Sequence, residues 1–122
     1  MDEDDPVILK ALDGEELMYK ERILKYNDYN WKQERMLIIS STRIINIKSK
    51  KIVRREVLIK NLSGITINLQ NQGETVIHVE DQTDIRFLTM QRKKLIDVLK
   101  CLFLILNNNE ENLPIYGVNK PR

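Results

Sequence analysis

The sequence predicts a mainly β protein, a seven-stranded antiparallel barrel capped by one C-terminal α-helix. Three observations carry this. From Leu17 to Thr89 short apolar-polar alternations are parted by turns; after Thr89 the apolar period lengthens to that of a helix; and a chain of 122 residues has room for one core.

The elements follow in order. Met1-Asp2-Glu3-Asp4-Asp5 is an acidic head, and Val7, Ile8, Leu9, Ala11 and Leu12 suffice for about two turns of helix before Asp13-Gly14 ends it. Residues 1–14 are therefore read as an acidic extension with a short helix. Strands are expected at 17–25, 34–40 and 43–48, the last two joined by a tight Ser41-Thr42 hairpin. After Ser49-Lys50-Lys51, Val53, Arg55, Val57 and Ile59 alternate with Arg54, Glu56, Leu58 and Lys60, which suits a half-buried fourth strand. Strands at 65–69, 75–79 and 85–89 complete the seven, with Gly64 a bulge and Gly73 a turn. Leu95, Leu99, Leu102 and Leu106 then recur at steps of four, three and four, predicting one amphipathic helix over 91–106, with Thr89 as its N-cap and Asn107-Asn108-Asn109 as its end. Each large side chain buried on that face contributes about 1.5–3 kcal/mol, so the helix can close one end of the barrel. The domain is thus expected over 15–106, followed by a tail at 107–122.

A hydrophobic share of 42% and a charged share of 31% are those of a folded, soluble chain. The longest apolar run, Cys101 to Leu106, is far short of the roughly 20 residues that cross a bilayer. The acidic start is the opposite of a secretory signal's basic one. Cys101 is the only cysteine; beside Leu102 and Phe103 it is expected in the core, and the compartment is expected to be a reducing one, cytosolic or nuclear. Setting aside the four carboxylates of the head, the net charge of +2 becomes +6 for the rest, which suits an anionic partner.

No enzyme is expected, and no metal or other cofactor. His78 is the only histidine and lies between Ile77 and Val79 in a strand, a structural setting. Glycines at 14, 64, 73 and 117 form no phosphate loop, and the acidic head lacks the ligand spacing of a calcium loop. Two clusters remain as binding candidates. Lys25, Lys32, Arg35, Lys48, Lys50, Lys51, Arg54 and Arg55 surround two successive turns and can hold phosphates by charge-assisted hydrogen bonds, or simply keep a sheet edge solvated. Trp31 with Tyr29 in a polar loop anchors a partner, dips into a membrane interface or caps the barrel, and Leu113, Ile115 and Tyr116 in the tail are further protein-contact candidates.

Several segments also carry a family likeness. Glu15-Glu16-Leu17-Met18-Tyr19 with Ile23-Leu24-Lys25-Tyr26-Asn27, then Lys32-Gln33-Glu34-Arg35-Met36-Leu37-Ile38-Ile39, resembles the opening of the tail homology domain of class I myosins. Arg54-Arg55-Glu56-Val57-Leu58-Ile59 with Leu62-Ser63-Gly64-Ile65-Thr66-Ile67 resembles its fourth and fifth strands, and Val76-Ile77-His78-Val79 and Asp84-Ile85-Arg86-Phe87 its last two. The resemblance spans about residues 15 to 104. It implies a pleckstrin-homology-like barrel that binds anionic phospholipid or protein, with the two basic turns side by side at the open end. The basic spacing departs from that family's phosphoinositide pattern, since Gln33 and Glu34 separate Lys32 from Arg35. The expected function is a non-catalytic module docking on a protein assembly, cytoskeletal or ciliary. The alternative is a peripheral membrane module binding anionic phospholipid or phosphoinositide, and nucleic acid is a distant third.

Overall fold

A computed structural model describes residues 6–26, 29, 31–48 and 52–120, with the backbone alone at 52–54. In chain order it contains α1 (Pro6–Leu12), β1 (Leu17–Tyr26), β2 (Lys32–Ser40), β3 (Arg43–Lys48), β4 (Ile52–Leu58), a 3-10 turn (Ile59–Asn61), β5 (Leu62–Asn68), β6 (Glu74–Val79), β7 (Ile85–Leu88), α2 (Arg92–Leu106) and β8 (Ile115–Val118).

The expected closed seven-stranded barrel is corrected on two points. Eight strands form one sheet in the order β4-β3-β2-β1-β7-β6-β5-β8, and that sheet is not closed: β4 and β8 are its edges. The eighth strand comes from the tail, which pairs parallel to β5 from Ile65↔Ile115 to Asn68↔Val118. It covers the edge of β5 that faces away from β6. The seam between the two halves is short, with Leu24↔Leu88 and Lys25↔Phe87 the paired residues of β1 and β7.

Alternation explains the main core. Ile23, Leu37, Ile39, Ile44, Val57, Ile65, Ile77, Ile85 and Phe87 point to one side of their strands and pack with Leu95, Leu99, Leu102 and Phe103 of α2. Thr89 does not cap α2 directly. The N-cap is Gln91, whose N–H is accepted by Thr89 Oγ1 at 3.1 Å while Thr89 donates to Glu21 Oε1 at 2.6 Å. Cys101, expected in the core, is exposed, because the buried stripe of α2 runs through Leu99, Leu102 and Phe103.

β2 departs from alternation: Met36, Leu37, Ile38 and Ile39 are all buried. A continuous apolar run means both faces are covered. The second cover is α1, whose Ile8, Ala11 and Leu12 pack on Met36, Ile38, Ile45 and Ile47 on the outer side of β2 and β3.

Polar groups pin α1 in place. Arg43 Nη2 donates to the carbonyls of Ala11 at 3.0 Å and Leu12 at 2.8 Å, satisfying the helix C-terminus. Glu15 accepts from Ser40 Oγ at 2.5 Å, Thr42 Oγ1 at 2.6 Å and Arg43 Nε at 3.2 Å. The Ser40 and Thr42 bonds, helped by Arg43 and opposed by desolvation, hold the Glu15 carboxyl below its ordinary value of 4.5. A depressed folded-state pKa adds stability that is complete above the unfolded pKa and disappears as pH falls through the folded one. Glu15→Gln is therefore expected to lower stability at neutral pH by about 1–2 kcal/mol, with the difference from wild type shrinking as pH falls below 4.5 and through the lowered folded-state value. Thermal melts across that range check it.

Candidate binding surfaces

Antiparallel pairing brings the β1–β2 and β3–β4 connections to the same end of the sheet, after the rungs Tyr26↔Lys32 and Lys48↔Ile52. The basic candidates meet different fates there. Lys32 and Lys48 are exposed and Lys25 is half-buried. Lys50 and Lys51 lie outside the described residues, as does the side chain of Arg54. Arg35 is not a surface ligand: it stands opposite core residue Ile23 and two residues before Leu37, which turns it inward and leaves it 7% exposed. Its guanidinium donates to Glu34 O at 2.8 Å and Gln33 Oε1 at 2.7 Å. Arg55 donates to the carbonyl of Thr83, tying β4 to the β6–β7 turn. Burial lowers its pKa, against the opposing pull of Asp84. That turn brings exposed Glu80, Asp81 and Asp84 beside the basic end.

Asn46 was legible only by parity. It lies between Ile45 and Ile47, opposite Leu37, and is 1% exposed on the inner face. Neither amide atom has a hydrogen-bond partner among the described residues.

The aromatic candidates are exposed. Tyr29 is 81% and Trp31 71% accessible, so Trp31 does not cap the barrel. In the tail, Leu113 is corrected from a contact candidate to a core residue at 3% exposure. Ile115 is half-buried in β8, and Tyr116 is exposed with its ring over Gly64. A Cβ at Gly64 would meet that ring at 2.8 Å, so a larger residue at this bulge must displace the ring.

His78 has both ring nitrogens engaged: Nε2 with Thr66 Oγ1 at 2.6 Å and Nδ1 with Asp84 Oδ2 at 3.0 Å. The order hydroxyl, imidazole, carboxylate is that of a nucleophile relay. A relay also needs N–H groups aimed at a developing oxyanion. These residues lie on the outer face of the sheet, where β5 and β6 are each paired on both sides and commit their backbone groups to the ladder. The chain of bonds ties β5, β6 and the start of β7 together.

A third surface escaped the sequence reading. A groove of about 1120 Å³ runs between α2, the β5–β6 loop and the β7–α2 linker. Arg92 Nη1 holds one wall by donating to the carbonyls of Asn68 at 3.1 Å, Asn71 at 2.7 Å and Glu74 at 3.2 Å. Glu21 holds the other end, accepting from the Met90 N–H at 2.8 Å and from the Tyr19 hydroxyl at 2.5 Å. Burial, then the Glu21 contact, raises the Tyr19 pKa above its usual value and keeps the phenol a donor. The sequence signal was a second stripe on α2, Val98, Cys101 and Ile105, at steps of three and four beside the buried one.

No protein-family model matches this chain, and no curated protein matches it either. Solved structures do. The pleckstrin-homology (PH) domain of human oxysterol-binding protein-related protein 11 aligns with a TM-score of 0.64 at 9% identity, covering 77% of this chain and 86% of that one. The N-terminal PH domain of human ARAP2 aligns with a TM-score of 0.62 at 12% identity, over 85% and 90%. The C-terminal domain of an unknown protein from Leishmania infantum gives 0.61 at 12%, over 79% and 91%. The chain has a PH-like fold.

Proposed function

We propose that this chain is a non-catalytic binding module that docks on a protein assembly, cytoskeletal or ciliary, in the cytoplasm, through the end bearing the β1–β2 connection. One observation carries the reading: Tyr29 and Trp31 stand exposed at that end while two arginines of the basic cluster are turned to their own chain, Arg35 inward and Arg55 onto Thr83 O. Exposed aromatic anchors dominate protein interfaces. Guanidinium groups spent on internal acceptors, with Glu80, Asp81 and Asp84 alongside, are poorly placed to gather phosphates. PH folds serve as scaffolds for such binding loops, and the resemblance to the tail homology domain of class I myosins supports the cytoskeletal setting. Exposed Lys32 and Lys48 at neighbouring hairpin ends favour the second reading, contact with anionic phospholipid.

Capture from native lysate on immobilised full chain tests the first reading. Trp31→Ala is expected to cut recovery of the partner by about tenfold or more with no change in melting temperature. Lys32→Glu with Lys48→Glu is expected to change it by about twofold at most. Retained capture by Trp31→Ala together with loss on charge reversal would contradict the proposal.

A further inference from the structure

We propose that the groove beside α2 receives an acidic amphipathic helix from a partner protein. It goes beyond the reading above, because β1 runs from Met18 at the groove to Tyr26 at the loop end, about 26 Å at 3.3 Å per residue. The two surfaces are separate, so a single domain would join two partners.

The groove's floor is apolar and accessible. Met90 is 92%, Ile105 58% and Met18 40% exposed, and Val98 and Cys101 lie between them on one stripe of α2. Apolar residues gathered in one place at such exposure mark an interaction site, and methionine adapts to the shape of a docked apolar face. From Lys94 to Ile105 the stripe runs about 16 Å, the length of three helical turns. This matches a ligand helix presenting residues i, i+3 or i+4, and i+7. An acyl chain would instead need an enclosed slot, whereas this floor is open to solvent along α2.

Charge selects an acidic occupant. Lys93 and Lys94, both exposed, follow Arg92 in the first turn of α2, which contains no acidic residue; the Arg92 guanidinium itself is held by the loop carbonyls. Cations there oppose the helix dipole, a local cost that carboxylates from a ligand would offset. Asp97, the acidic residue lining the groove, is already engaged by Lys93 at 3.0 Å. Walls held by Arg92 and Glu21 are set before binding, which lowers the ordering cost of docking.

The test is fluorescence anisotropy of the full chain with a labelled designed helix of about 18 residues, carrying leucines on one face and glutamates beside them, against the same peptide with lysines for glutamates. The acidic peptide is expected to bind saturably and at least about tenfold more tightly than the basic one. Met90→Gln with Ile105→Gln, both at exposed positions, is expected to weaken it by about tenfold with an unchanged melting temperature. Lys93→Glu with Lys94→Glu is expected to reverse the preference. Trp31→Ala is expected to leave peptide binding intact, so this result stands or falls apart from the capture experiment. No saturable binding up to about 1 mM, equal affinity for the two peptides, or binding indifferent to Met90→Gln with Ile105→Gln would overturn the proposal. So would a fluorescent fatty acid that binds the wild type and is lost from the same double variant.

Discussion

Ile8→Ala is expected to lower the stability of the whole domain by about 2–4 kcal/mol, although Ile8 lies in a seven-residue helix ahead of the first strand. The side chain is 0% exposed and packs in the cluster of Ala11, Leu12, Met36, Ile38, Ile45 and Ile47. Truncation leaves a cavity between α1 and the sheet that rigid strands cannot fill. Leu9, 53% exposed on the same helix, is the control: Leu9→Ala is expected within about 0.5 kcal/mol of wild type. Urea denaturation separates the two, with a midpoint shift of about 1–2 M for the first. Equal stability of both variants would mean that α1 is an appendage and that the outer face of β2 and β3 tolerates water.

Removal of residues 113–122 is expected to have the second large effect. Leu113 is 3% exposed in the main core, and its loss alone costs about 2–4 kcal/mol. The same deletion removes β8 and bares the backbone groups of β5 from Ile65 to Asn68. An uncovered edge of that length pairs with other chains. The shortened protein is therefore expected to melt lower and to self-associate, read by sedimentation velocity beside denaturation. Gly64→Val tests β8 by itself, because the new side chain displaces the Tyr116 ring while leaving Leu113 in place. A shortened chain as stable and monomeric as the full one would contradict the role given to β8.

What the sequence shows of these features follows from the range of the interactions. α1 and α2 were legible because their signals are local: Asp13-Gly14 stops the first, and the Leu95 to Leu106 repeat sets the second. β8 was not, because Ile115-Tyr116-Gly117-Val118 is too short to show a period and its partner lies 50 residues earlier. Its parallel pairing adds an eighth strand at the β5 edge of the sheet. The run Met36 to Ile39 announced burial on both faces without saying what covers the second. At the candidate site, clustering of Lys and Arg in sequence concealed that strand parity turns Arg35 inward with Leu37, a conclusion that needs only alternation. The link from Arg55 to Thr83 spans 28 residues and depends on the fold. Trp31 and Tyr29 stand out in the sequence as aromatics in a polar loop, and the structure adds that both are exposed.

The claim that this end of the domain serves protein rather than membrane is tested most directly by sedimentation with vesicles of phosphatidylcholine, with and without phosphatidylserine and phosphoinositide, at physiological salt. The chain is expected to stay in the supernatant with every composition, since among the described residues a membrane contact here would rest on exposed Lys32 and Lys48 at about 1 kcal/mol each. Sedimentation that requires the anionic lipids and is abolished by Lys32→Glu with Lys48→Glu would contradict the account and make the membrane the partner.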